Sequence, residues 1–160
     1  MRLKMTIKNI TIFDLDGTVI DSSHRQATKP DGTLNLEHWF ENATPEKIFQ
    51  DKILPLAQQI RKRSKKGDYT MICTARTLSD ADLEFFHQEG LLVDKIISRK
   101  QGDMTPDGEL KAKQLRSFFS LKQFKDLNKV MFDDAPSVRK SLRRLGISVI
   151  DPSKIQSRVA

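Results

Sequence analysis

The stretch NITIFDLDGTVI (9–20) decides how the rest of the chain is read. Its first half is apolar and rich in β-branched side chains, which suits a buried strand. It then breaks into Asp14-Leu15-Asp16-Gly17-Thr18, two acids on alternate residues followed by a glycine that lets the backbone turn tightly. In extended chain Asp14 and Asp16 share one side. A central strand that ends in this way predicts a sheet whose carboxyl edge carries the chemistry.

Working outward, YTMICT (69–74), DKIISR (94–99), KVMFDD (129–134) and ISVID (147–151) read as further strands. Amphipathic stretches separate them. One helix is expected to open at Thr44-Pro45 and run through Ile48, Ile53, Leu56 and Ile60. Others run from Thr77 or Ser79 towards Gly90, from about Glu109 to Phe119, and from about Ser137 to Gly146. The alternation predicts an α/β fold, a Rossmann-like parallel sheet of about five strands with helices on both faces. Residues 1–160 read as one domain. Residues 21–44 are polar and contain Pro30, Gly32 and Asn35, so they read as a long loop or small cap insertion. Segments of that kind are usually functional lids or mobile.

Composition excludes several classes. Of the 160 residues 38% are hydrophobic and 31% charged, enough for a packed core under a solvated surface. No apolar run is long enough to span a bilayer, so no membrane partner is expected. The opening MRLKMTIKNI lacks the apolar stretch and cleavage site of a secretory signal. The single cysteine, Cys73, excludes an internal disulfide framework and suits a reducing cytoplasm. The three histidines are scattered, without zinc-ligand spacing. The net charge of +7 favours anionic partners such as nucleotides or nucleic acid, or else reflects only a solvated basic surface.

The polar residues fall at the strand ends. The first strand ends in Asp14 and Asp16, the second in Thr74-Ala75-Arg76, the third in Ser98-Arg99 and the fourth in Asp133-Asp134. In a parallel sheet these groups converge on one edge, where the carboxylates would repel one another unless a cation sits among them. Oxygen-only ligands point to Mg²⁺. A carboxylate there can attack phosphorus, and a second one two residues along can protonate the leaving oxygen and later activate water. Thr74 and a lysine would bind the charge that develops on the phosphoryl oxygens.

IFDLDGTVI (12–20) resembles the first motif of haloacid dehalogenase (HAD) superfamily phosphatases, and Thr74, a lysine and Asp133-Asp134 follow in family order. IISRKQGDMTPDGELK (96–111) and VMFDDAPSVRKSLRRLGISV (130–149) are similar to the phosphatase half of phage polynucleotide kinase/3′-phosphatases. Arg99, Gly102, Asp103, Asp107 and Lys111 fill that pattern, which selects Lys111 over Lys113. The resemblance spans most of residues 7–151 and is weakest over 27–68. It implies Asp14 as nucleophile and Asp16 as general acid/base. It also implies Mg²⁺ on Asp14, the Asp16 carbonyl, Asp133 and Asp134. Arg76, Arg25 and Arg99 would contact substrate phosphate or brace the acids. The substrate implied is a nucleotide or a polynucleotide 3′-phosphate end, in the cytoplasm (of the host, if a phage encodes the chain). No Gly-X-X-X-X-Gly-Lys-Ser/Thr loop is present, so only phosphate removal carries over and not the kinase half.

Other readings compete with this one. A small-metabolite phosphatase would share the chemistry, although the short insertion suggests a site open to bulkier substrates. A phosphoacceptor signalling domain would lack the acid at Asp16. A non-catalytic nucleic-acid-binding protein would not need Asp14, Asp16, Lys111 and Asp133 together. His24 reads as a structural or surface residue, Trp39-Phe40 as packing of the insertion or as a base-stacking pair, and Cys73 as core.

Overall fold

Strand β1 (Asn9–Phe13) lies at the centre of a five-stranded parallel sheet in the computed structural model, which describes residues 6–155. After it come a short strand β2 (Ile20–Asp21), a 3-10 turn at Ser23–Arg25, and helices α1 (Leu36–Glu41) and α2 (Pro45–Ile48). Strand β3 (Lys52–Ile53), a 3-10 turn at Pro55–Ala57 and helix α3 (Gln58–Lys65), whose Ile60 packs in the core, complete the segment between β1 and β4. The core resumes with β4 (Tyr69–Cys73), α4 (Asp80–Gln88), β5 (Lys95–Ile97) and α5 (Asp107–Phe119). It closes with β6 (Asn128–Phe132), α6 (Pro136–Arg143) and β7 (Ser148–Ile150).

The sheet order is β5-β4-β1-β6-β7, with every pair parallel. The chain winds outward on one side of β1 and then crosses to the other. The strand order therefore reverses between β1 and β6, where open α/β sheets form a crevice at their carboxyl ends. Strand alternation fills both faces. Ile10, Ile12, Met71, Cys73 and Met131 pack with Leu115 and Phe119 of α5 and Val138 and Leu142 of α6. Phe13, Ile72 and Phe132 pack on the opposite face with Ile60 of α3 and Phe85 and Phe86 of α4. The expected α/β class with helices on both faces is what the chain adopts.

One local expectation is corrected. The helix expected from Thr44 stops after Ile48, although Thr44 caps it through the Lys47 N–H as its residue type suggests. Pro55 disfavours helix at the residue before it and lacks an N–H. Lys52–Ile53 instead pairs antiparallel with Ile20–Asp21, and helix resumes only at Gln58. In the polar stretch 21–44, Asn35 caps the short helix α1 through the His38 N–H. Trp39 of that helix turns inward and is buried. No helix among the described residues is long and apolar enough to cross a membrane.

Candidate active site

Parallel register assembles the site. Phe13 pairs with Phe132 across β1 and β6, so the next residues, Asp14 and Asp133, emerge side by side. The Asp14 N–H donates to the Phe132 carbonyl at 2.9 Å, which continues the ladder into the acids. Lys111 reaches up from α5 between them, its Nζ 2.8 Å from Asp14 Oδ1 and 2.7 Å from Asp133 Oδ2. All three are buried, and the paired acids hold the Lys111 ammonium above its ordinary pKa although burial works against its charge. Thr18 donates to Asp14 Oδ2 at 3.1 Å. Behind this group, burial pushes the Cys73 thiol up to about 12, so it stays a neutral core residue.

Carboxylate oxygens of Asp14, Asp133 and Asp134 lie within 4.8 Å of one another. Burial, and then the charge of Asp14, raise the Asp133 carboxyl to about 6. Asp134 is exposed as a residue, but its carboxyl group faces inward. Lost hydration on that side and a hydrogen bond with Asp14 raise it to about 8. Three hard oxygen donors at this spacing, their charge not fully offset by one lysine, fit a hard divalent cation. The two raised carboxyls ionise near 3.8 in the unfolded chain, so the metal-free fold binds extra protons between about pH 4 and 8. Its stability therefore falls as pH rises through that window. Thermal unfolding without divalent metal should show this decline, and millimolar Mg²⁺ should flatten it. A decline of the same size with Mg²⁺ present would argue against metal at these acids.

Gly17 completes the turn with φ +80°, and a Cβ there would lie 2.2 Å from Asp134 Oδ2. Gly17→Ala therefore combines left-handed strain of about 1–2 kcal/mol with displacement of Asp134. A loss of at least about 100-fold in kcat is expected at saturating Mg²⁺, since a shift of about 1 Å in a positioned group costs that much. Unchanged kcat would show that the Asp134 position is immaterial.

Thr74 follows β4 and is buried, with its Oγ1 accepting the Arg76 N–H at 3.0 Å, which leaves its own O–H to donate. The Asp16 carboxylate stands apart from the acid trio. Arg76 Nε donates to Asp16 Oδ2 at 3.1 Å, Arg76 Nη2 donates to Asp16 Oδ1, and Ser22 Oγ donates to Asp16 Oδ1 at 2.6 Å. An open hollow of about 440 Å³, lined by Asp21, Ser23, His24, Gln50 and Lys52, adjoins Ser22 in sequence.

In this structure the three arginines brace acids and loop carbonyls, one of the two roles expected of them. Arg25 is 1% exposed and spends two donors on Asp51, each at 2.9 Å. Arg99 donates to the carbonyls of Ala75, Asp103 and Thr105, each at 2.7 Å, and to Asp107 at 2.9 Å. It ties the loop after β5 to the end of β4. Arg76 is bound to Asp16, and its Nη1 donates to Asp82 at 2.6 Å. The sequence reading did not single out Ser22, Asp51 or Asp82. Asp82 was legible only as the helix-capping partner of Ser79, which it also is.

The arrangement can carry out nucleophilic displacement at phosphorus. It has a buried carboxylate held by a lysine, a second carboxylate held apart from it, and a hydroxyl at the neighbouring strand end. The model of the family described as Bacteriophage T5 5′-deoxynucleotidase matches residues 1–159. The chain is 36% identical over 89 residues to the 5′-deoxynucleotidase of Escherichia phage T5, covering 53% of this chain and 36% of that protein. It thus spans little more than a third of that relative's length. A chain of the Pnkp1/Rnl/Hen1 complex superposes with TM-score 0.63 at 18% identity, over 92% of this chain and 46% of that one. A haloacid dehalogenase-like hydrolase from Streptococcus pneumoniae gives 0.61 at 13%, over 96% and 99%. A HAD-superfamily hydrolase from Geobacter sulfurreducens gives 0.61 at 14%, over 89% and 85%. At these identities the structures establish a HAD-like fold.

Proposed function

Because this chain belongs to the Bacteriophage T5 5′-deoxynucleotidase family, we propose that it hydrolyses deoxynucleoside 5′-monophosphates through an aspartyl-phosphate on Asp14, with Mg²⁺ as cofactor. The observation that carries this reading is Lys111 bonded to both Asp14 and Asp133 at the switch point of the sheet. Asp14 attacks phosphorus, and the bond from phosphorus to the nucleoside oxygen breaks. Asp16 gives that oxygen its proton. In the second half Asp16, now a carboxylate, takes a proton from water, which attacks phosphorus and frees Asp14 and inorganic phosphate.

Lys111 and the Thr74 hydroxyl stabilise the charge on the phosphoryl oxygens, and Arg76 orients Asp16. Asp14, Asp133, Asp134 and the Asp16 carbonyl would hold Mg²⁺, which offsets phosphoryl charge when bound. The burial of Asp14, 6% exposed, and Thr74, 1% exposed, suits a terminal monoester that can enter phosphate first. The net charge of +7 favours such an anion.

A second reading, a polynucleotide 3′-phosphate end, is favoured by the Arg99 to Lys111 pattern. Phosphate release with Mg²⁺ from a panel separates the two. The panel holds deoxynucleoside 5′- and 3′-monophosphates, 3′- and 5′-phosphorylated oligonucleotides, and sugar phosphates. Deoxynucleoside 5′-monophosphates should give the highest kcat/KM. Preference for the 3′-phosphorylated oligonucleotide would replace the first reading with the second. No release from any of them would contradict both.

A further inference from the structure

We propose that Asp51 is a positioning residue for Asp16, acting through Arg76 and tying the insertion between β1 and β4 to the group that protonates the leaving oxygen. The inference rests on the acid role given to Asp16 above. Arg76 presents its Nε and Nη2 to Asp16 as a fork, and a fork aims a carboxylate only if it is itself held. Two acids hold it. Asp82 of α4 accepts from Nη1 at 2.6 Å, and Asp51 Oδ2 lies 3.7 Å from Nη2.

Asp82 belongs to the α/β core, whereas Asp51 comes from the insertion, just before β3. Its side chain is fully buried and gathers the insertion around it. Arg25 donates to both of its oxygens, and His24 Nε2 sits 2.7 Å from Oδ1. Trp39 of α1 covers both guanidiniums, with the Arg25 carbon 4.2 Å and the Arg76 carbon 5.3 Å from its ring centroid. Three carboxylates, Asp16, Asp51 and Asp82, thus share two guanidiniums under one indole. Removing the Asp51 charge frees one side of the Arg76 fork, and Asp16 follows it out of line.

The test is a leaving-group comparison. The value of kcat/KM covers only the steps through departure of the alcohol. A 5′-nucleoside alkoxide needs a proton to leave, whereas p-nitrophenolate leaves without one. In Asp51→Asn the ratio of kcat/KM for deoxythymidine 5′-monophosphate over p-nitrophenyl phosphate should fall about tenfold or more, part of the 10²–10⁴-fold that a positioned acid contributes. Because the Asp51→Asn change leaves Arg25 buried without its counter-ion, the double variant Arg25→Met/Asp51→Leu is measured beside it. Apolar replacement of a whole buried pair is often neutral for stability, and the same fall is expected. Asp16→Asn serves as the reference. Equal losses on both substrates in the Asp51 variants, with the Asp16 variant still splitting them, would reduce Asp51 to a fold-stabilising residue and overturn the proposal. A reference variant that fails to split them would overturn the acid role of Asp16, and that of Asp51 with it.

Discussion

Asp14→Asn should abolish phosphate release from every monoester, by on the order of 10⁴-fold or more, while the fold persists. The loss follows from chemistry, because an amide oxygen is a poor nucleophile towards phosphorus. The persistence of the fold follows from electrostatics. Asp14 is one of three carboxylates within 4.8 Å of one another, and its charge is among the causes that raise Asp133 to about 6. An asparagine keeps an acceptor for the Lys111 Nζ, 2.8 Å away in the native site, and removes one repelling charge. Without metal the variant should unfold at or above the wild-type temperature, read by circular dichroism beside phosphate release. Residual turnover within about tenfold of wild type would require another nucleophile.

Lys111→Met should damage both stability and activity. Lys111 is 3% exposed and bonded to Asp14 and Asp133. Methionine fills much of the same volume but leaves two buried carboxylates without their cation. Breaking a buried ion pair in this way costs about 3–5 kcal/mol. For a domain of this size a loss of about 3 kcal/mol lowers Tm by roughly 6–12 °C. The drop should be largest above the pH at which Asp133 ionises and smaller when Mg²⁺ is present. Phosphate release should fall on the order of 10²–10³-fold even at saturating Mg²⁺, the usual cost of losing one donor to the developing charge. If Tm falls while kcat is retained, Lys111 only balances charge.

Much of this site could be read from residue order, because parallel strands impose it. A strand that ends in Asp14 and another that ends in Asp133 meet once the strand order reverses between them, and Lys111 arrives on the helix that precedes β6. The arginines were harder. A guanidinium facing substrate and one facing a protein acceptor look the same in sequence, and only the contacts show Arg25 on Asp51 and Arg99 on Asp107 and three loop carbonyls. Asp51 carried no local signature, since the side chains that pair with it come from the turn after β2 and the end of β4. The apolar spacing of Ile48, Ile53, Leu56 and Ile60 does not report the break in the helix expected from Thr44, whereas Pro55, which lacks an N–H and disfavours helix at the residue before it, does. The pairing of Lys52–Ile53 with Ile20–Asp21 joins residues about thirty apart in sequence, which no periodicity reports.

The proposed aspartyl-phosphate should be trapped by acid quenching during turnover of deoxythymidine 5′-monophosphate with Mg²⁺. Peptide mapping by mass spectrometry should find a single phosphoryl group on the peptide that contains Asp14, and none in the Asp14→Asn variant. Phosphate and nucleoside released in step with no phosphopeptide at any quench time, or a phosphoryl group on Asp133 instead, would contradict it.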